Sequence, residues 1–94
     1  MNKRGAHVCK VDANQHAIVK ALRAAGASVQ MIHTVGQGCP DLLVGWHGEN
    51  LLIEVKSPGC QLTPDEREWW DAWHGDVVIV DSVGDALDLL GVRL

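Results

Sequence analysis

The spacing of apolar residues along the chain predicts seven elements in the order α-β-β-β-α-β-α. Apolar positions recur every three to four residues in the predicted helices, 13–25, 63–73 and 82–90. They alternate with polar positions or run together in the predicted strands, 28–34, 41–46, 51–56 and 77–80. A strand reached through a helix can lie parallel to its neighbour. The pattern therefore predicts an α/β fold with one mixed four-stranded sheet and helices on both faces.

The second and third predicted strands form a hairpin with two unlike faces. A turn at residues 48–49 pairs Asp41 with Lys56 and Leu43 with Glu54, so that three charged side chains share one face near the strand ends remote from the turn. The other face is apolar and is lined by Leu42, Val44, Trp46, Leu51, Ile53 and Val55. Asp41 and Glu54 are then diagonal neighbours about 7–8 Å apart, a gap that two carboxylates can close around a divalent cation.

Two acids beside a lysine match the needs of phosphodiester hydrolysis. A carboxylate-bound Mg²⁺ polarises the phosphate and activates water. Because Mg²⁺ retains several waters, Asp41, Glu54 and the carbonyl of Val55 suffice as protein ligands, while Lys56 orients the water or neutralises developing charge. The alternative is a solvated charged face on which Lys56 pairs with Asp41.

Length and charge narrow the class of protein. The 94 residues allow one domain, assigned to residues 12–94 after a flexible basic lead-in at 1–11. The net charge of −4 hides five basic residues against one acidic residue in 1–40, and three against eleven thereafter. A phosphate-rich ligand therefore suits the first third of the chain, where Lys10, Lys20 and Arg23 can grip the DNA backbone or can simply be solvated.

The cellular setting is also predicted from the sequence. No apolar stretch approaches the roughly 18 residues of a membrane span, and no apolar leader follows Lys3 and Arg4. The three cysteines form no C-x-x-C pair, so we expect reduced thiols and an intracellular location.

The residues Gly38-Cys39-Pro40-Asp41, followed after twelve others by Glu54-Val55-Lys56, resemble the signature of PD-(D/E)-x-K nucleases. The αβββαβ order is similar to the common core of that superfamily, the restriction-endonuclease-like fold. More narrowly, the hairpin followed by L-T-P-x-E-x-x-W resembles the VRR-NUC (virus-type replication-repair nuclease) family in its small stand-alone phage and bacterial form. The resemblance covers roughly residues 12–90.

The resemblance implies a Mg²⁺- or Mn²⁺-dependent endonuclease acting on structured DNA such as flaps or Holliday junctions. It also implies a homodimer in the cytoplasm of a bacterium or a phage-infected host. The family commonly carries a glutamate in the first helix, where this chain has Asn14 and Gln15, so Gln15 is a possible metal-site helper. Glu66 stands where the family often has glutamine, and it can approach the metal or complete a helix cap. Two alternatives remain: a non-catalytic nucleic-acid-binding or assembly module, and an RNA endonuclease.

Two further groups of residues have more than one interpretation. The backbone amides at Gly36 and Gly38 can approach a phosphate, or these glycines can simply form a turn. Trp69 and Trp73 lie on one helical face and are expected in the core. Trp70 points elsewhere, and we expect it in the core or at a dimer contact; stacking on an unpaired base is the alternative.

Overall fold

The computed structural model describes residues 12–91, which form the predicted order of helices and strands. The elements are α1 (Asp12–Ala24), β1 (Ser28–Met31), β2 (Leu42–Trp46), β3 (Glu49–Val55), α2 (Pro64–Ala72), β4 (Val77–Val80) and α3 (Val83–Leu89). The predicted lead-in at 1–11, with Lys10, lies outside the described residues.

The four strands form one sheet in the order β1-β2-β3-β4. β1, β2 and β3 are a meander of antiparallel neighbours, whereas β4 runs parallel to β3 after the α2 crossover. The prediction of a mixed four-stranded sheet in an α/β fold is therefore confirmed.

The core lies between one face of the sheet and the helices α1 and α3. Alternation along β2 and β3 directs Leu42 and Ile53 into this layer, where they are fully buried with Ile18 and Leu22 of α1 and Ala86 of α3. Burying each large aliphatic side chain contributes about 1.5–3 kcal/mol. This packing holds α1 against the strands that carry the predicted charged residues.

The hairpin register differs by two residues from the predicted one. Leu42 pairs with Ile53 and Trp46 with Glu49, because the turn falls at 47–48 and not at 48–49. Both turn residues have positive φ, 50° and 82°, as a type I′ turn requires. A two-residue shift leaves every side chain on its predicted face, but continuing the observed register places Asp41 level with Glu54 and not with Lys56.

The first strand is shorter than predicted. It ends at Met31, and a single 3-10 turn at His33–Val35 replaces the rest of the predicted segment 28–34. The Ile32 N–H donates to the Asp41 carbonyl at 2.8 Å, and the Val35 N–H donates to the Ile32 carbonyl at 3.0 Å. The chain thus turns just before the glycine-containing loop, and the alternating pattern could not indicate where pairing stops.

The prediction that Trp69 and Trp73 enter the core is wrong. The two rings stack on each other with centroids 4.7 Å apart, and Trp73 is 45% exposed. The spacing of four residues correctly placed them on one face of α2, but that face does not pack into the aliphatic core. Trp46 is the tryptophan that packs against the core, and its Nε1 donates to the Leu90 carbonyl at 3.1 Å.

The predictions about membranes and thiols have different outcomes. Within residues 12–91, no helix is long and apolar enough to cross a bilayer. Cys39 is a free thiol, as expected. Cys60 is disulfide-bonded, so the expectation of reduced cysteines is wrong for this residue.

Candidate active site

Asp41 stands immediately before β2 and is fixed against β3 through both its main chain and its side chain. Its Oδ2 accepts a hydrogen bond from the Val55 N–H at 2.8 Å, and its carbonyl accepts the Ile32 N–H. Burial raises the pKa of Asp41, while the Val55 hydrogen bond opposes that rise. The carboxylate is therefore held at a defined point beside Glu54.

Within residues 12–91, Glu54 is one of two charged residues buried as deeply as the core, with only 2% of its surface exposed. Burial, followed by the negative charges of Asp41 and Glu66, raises the pKa of Glu54 to about 9. Even with the nearby Lys56 ammonium, which opposes this rise, the pair formed by Asp41 and Glu54 cannot readily carry two negative charges at neutral pH.

Lys56 is the other buried charged residue, 7% exposed, and its ammonium group is enclosed by carboxylates. Its Nζ lies 2.6 Å from Glu66 Oε1 and 3.7 Å from Glu54 Oε2. Burial alone lowers the pKa of Lys56, but the hydrogen bond and charge of Glu66, with the charge of Glu54, outweigh it and raise the pKa above its ordinary value. Lys56 is therefore a cation throughout the neutral range.

Glu66 serves two partners with a single oxygen. Its Oε1 accepts from the Thr63 N–H at 2.8 Å, while Thr63 Oγ1 accepts from the Glu66 N–H at 3.3 Å, so the predicted capping box is confirmed. Burial opposes ionisation, yet the hydrogen bonds from Lys56 and Thr63 leave the pKa of Glu66 below its ordinary value. The cap thus fixes the carboxylate that holds Lys56, a link that the sequence motif alone did not reveal.

The hydrogen bonds made by Asn14 were not predicted from the sequence. Its Nδ2 donates to the carbonyls of Lys56 and Asp81, both at 3.1 Å. These contacts join α1 to the chain at the ends of β3 and β4, directly behind the lysine. The partners lie 42 and 67 residues away, and no local pattern indicates such a contact.

The charged residues line a cavity of about 610 Å³. Its walls are formed by α1, by the segment around β1 and the 3-10 turn, and by the ends of β2 and β3; the lining residues are Gln15, His16, Val19, Lys20, Arg23, Met31, His33, Asp41, Glu54, Lys56 and Glu66. The volume is within the ~300–1,000 Å³ of typical ligand clefts. Although Glu54 is buried, it is therefore reachable from a cavity.

The cavity brings most of the predicted site residues together. It includes the triad of Asp41, Glu54 and Lys56, both proposed helpers, and two of the basic residues, Lys20 and Arg23. Gln15 of α1 lines it, whereas Asn14 does not. The Val55 carbonyl as a metal ligand stays a prediction.

Gly36 and Gly38 do not line this cavity. Gly38 has a φ of 81°, and a Cβ there would overlap the Asp65 carbonyl oxygen, so this position permits the loop to approach the first turn of α2. Cys39 follows; burial, with the charges of Glu54 and Asp41, raises the pKa of its thiol and keeps it protonated. A thiolate role for Cys39 is thereby disfavoured.

The donor set fits a hard divalent cation better than a soft one. Within the described part of the chain, no three His, Cys, Asp or Glu side chains form a metal-binding group. Mg²⁺ needs only one or two carboxylates and keeps waters in its shell, and the like-charged pair of Asp41 and Glu54 supplies those carboxylates. The residues present therefore fit Mg²⁺ or Mn²⁺.

The αβββαβ order, with two acids and a lysine at the ends of a central hairpin, is the arrangement on which the sequence resemblance rests. The structure resembles a solved structure described as a VRR_NUC domain, with a TM-score of 0.66 and 24% identity, over 93% of this chain and 100% of that one. The family model for the VRR-NUC domain matches residues 2–81. The chain belongs to the VRR-NUC domain family. No curated protein matches it.

Proposed function

We propose that the protein is a divalent-metal-dependent endonuclease that hydrolyses phosphodiester bonds in DNA. The observation that carries this proposal is the pair of neighbouring carboxylates, the half-buried Asp41 and the buried Glu54, which lie beside a cationic lysine and line a cavity. Membership of the VRR-NUC domain family, which implies a nuclease-type fold, supports it.

In the proposed site, Asp41, Glu54 and the Val55 carbonyl hold Mg²⁺, and Mn²⁺ can replace it. The bound ion would neutralise charge on the phosphate and lower the pKa of water. The protein contributes fixed ligands: the Val55 N–H orients the Asp41 carboxylate at 2.8 Å, and the surrounding strands orient Glu54.

Lys56 acts in this proposal as an electrostatic stabiliser and not as a general base. Its raised pKa keeps the ammonium protonated, so it cannot accept a proton from water at neutral pH. The 2.6 Å contact with Glu66 fixes its Nζ at 3.7 Å from Glu54 Oε2, where it can face the negative charge that develops on a phosphate oxygen. Glu66 thereby acts through Lys56, and Gln15 provides a neutral amide in the same cavity.

The preferred substrate is proposed to be structured DNA, such as flaps or Holliday junctions, cut by a homodimer in the cytoplasm of a bacterium or a phage-infected host. The family resemblance motivates the substrate and the location. Exposed apolar side chains on the sheet face opposite the core, Leu43 at 38% and Ile79 at 47%, support association of two copies.

Cleavage assays test the proposal. Wild-type protein and the Asp41→Asn variant are incubated with Mg²⁺ or Mn²⁺ and with end-labelled junction, flap and duplex DNA, and in parallel with RNA of the same sequences. The proposal expects metal-dependent cutting of DNA by the wild type and none by the variant. Binding without cutting identifies the non-catalytic module instead, and cutting confined to RNA identifies an RNA endonuclease.

A further inference from the structure

The wall of the cavity formed by α1 carries a stripe of basic and hydrogen-bonding side chains. His16, Lys20 and Arg23 lie at positions i, i+4 and i+7 of the helix, which places them along one face. All three line the same cavity as Asp41 and Glu54. The stripe thus leads away from the acid pair along a single rigid element.

Arg23 is held toward the cavity by a contact of its own. Its Nη2 donates to the Val29 carbonyl at 3.0 Å, which ties the guanidinium to β1. A guanidinium has five N–H donors, so this bond leaves others for an anion. Lys20 is exposed and lies one turn nearer the acids.

The helix α2, which reaches the acid pair through Glu66 and Lys56, has the reverse charge. α2, which contributes Glu66 to the site, also exposes Asp65, Glu68 and Asp71. Its single basic residue, Arg67, lies 3.8 Å from Asp71 and is partly neutralised by it. A phosphate chain continuing along α2 would meet repulsion, whereas one continuing along α1 would meet attraction.

We infer that α1 holds the phosphate backbone of DNA on only one side of the scissile bond, through Lys20 and Arg23 with His16 between them and the acids. This inference rests on the proposed function for the position of the scissile bond. From Gln15 to Arg23 the helix rises about 12 Å, which is three to four nucleotides of a B-form strand. The contacts therefore fall within about four phosphates of the cut, and α2 makes no comparable contact on the other side.

Phosphate neutralisation tests the one-sided contact directly. Single methylphosphonates are placed at each of four positions on either side of the mapped cleavage site, and the KM for cleavage is measured for each substrate. An increase in KM confined to one side supports the inference. Equal increases on both sides, or none on either, overturn it.

Charge variants test the same surface without requiring cleavage. Binding of DNA is measured in Ca²⁺ over a range of salt for Lys20→Ala, for Arg23→Lys, and for the matched control Arg67→Ala on α2. Each phosphate contact contributes about 0.9 to the slope of log K against log salt. Lys20→Ala is expected to reduce the slope by about that amount. Arg23→Lys is expected to keep the slope and weaken binding, and Arg67→Ala is expected to change neither quantity.

The two experiments separate the inference from the proposed function. If the wild type binds but cuts nothing, the proposed function fails, while a slope reduced only by Lys20→Ala still supports binding along α1. If the wild type cuts but Arg67→Ala reduces the slope as much as Lys20→Ala, the nuclease proposal stands and the one-sided contact is wrong.

Discussion

Two sets of alternating residues at the end of β3, the core residues Ile53 and Val55 and the charged residues Glu54 and Lys56, are buried to a similar degree but for opposite reasons. Ile53 and Val55 are fully buried in an aliphatic layer, where loss of contact with water stabilises the fold. Glu54 and Lys56 are 2% and 7% exposed, yet removing charges from water costs free energy that ion pairs recover only in part. Alternation of side chains in one strand therefore builds both a core and a costly charged cluster, and the cost indicates a site kept for function.

The largest expected difference between the charged residues and the core residues is the effect of replacing Glu54 on cleavage. Glu54→Gln keeps the shape of the side chain but removes a metal-binding charge, so cleavage is expected to fall below about one hundredth of the wild-type rate. The free energy of unfolding in EDTA at pH 8 should equal or exceed that of the wild type, because the wild-type carboxyl must take up a proton on folding at this pH and the glutamine amide need not. Cleavage assays and urea denaturation measure the two effects. A variant that unfolds easily, or one that remains active, would contradict this account.

Ile53→Ala is the matched change in the core, one residue earlier on β3. Truncating this fully buried side chain leaves a cavity and is expected to lower the free energy of unfolding by about 2–5 kcal/mol. Under conditions where the variant stays folded, the cleavage rate should remain close to that of the wild type. A loss of activity without a loss of stability would show that the core residues do not act on stability alone.

Asn14→Ala tests how far the hydrogen bonds of Asn14, as opposed to apolar packing, stabilise the charged end of the hairpin. Removing the amide leaves the Lys56 and Asp81 carbonyls without this donor, and the expected loss is about 1–3 kcal/mol in the free energy of unfolding. Gln30→Ala, at an exposed amide on β1, is the control and should change stability by less than about 0.5 kcal/mol. Equal changes in the free energy of unfolding for the two variants would show that the Asn14 hydrogen bonds do not stabilise this end of the hairpin.

The pH dependence of the free energy of unfolding also distinguishes the charged residues from the core residues. The pKa of Glu54 rises on folding from its ordinary 4.5 to about 9, so the folded state binds more protons between these values. In EDTA, the free energy of unfolding should therefore fall as pH rises through this window, by up to about 1.4 kcal/mol per pH unit. Glu54→Gln should flatten the dependence, whereas Ile53→Ala should lower the whole curve and leave its slope. Stability that increases with pH in the wild type would refute the assignment.

The sequence predicted the faces of the hairpin better than its register. Alternating apolar residues determine which side of a strand is buried, so Asp41, Glu54 and Lys56 were placed together correctly even though the turn lies one residue earlier than predicted. The fold order was predictable for the same reason, because each element has its own periodicity.

Contacts between distant elements could not be read from the sequence. The capping box at Thr63 was recognisable as a local motif, but the 2.6 Å contact between Glu66 and Lys56 depends on how α2 docks beside β3. The stacking of Trp69 on Trp73 outside the core depends likewise on tertiary placement, which helical spacing does not specify.

Binding of Mn²⁺ to the protein without DNA tests the central claim most directly. Free Mn²⁺ is followed by electron paramagnetic resonance during titration of the wild type, of Asp41→Asn and of the control Arg67→Ala. The account predicts saturable binding by the wild type and the control, with binding lost in Asp41→Asn while that variant stays folded. Binding of equal strength in Asp41→Asn, or no binding by the wild type at millimolar Mn²⁺, would contradict a cation held by Asp41 and Glu54.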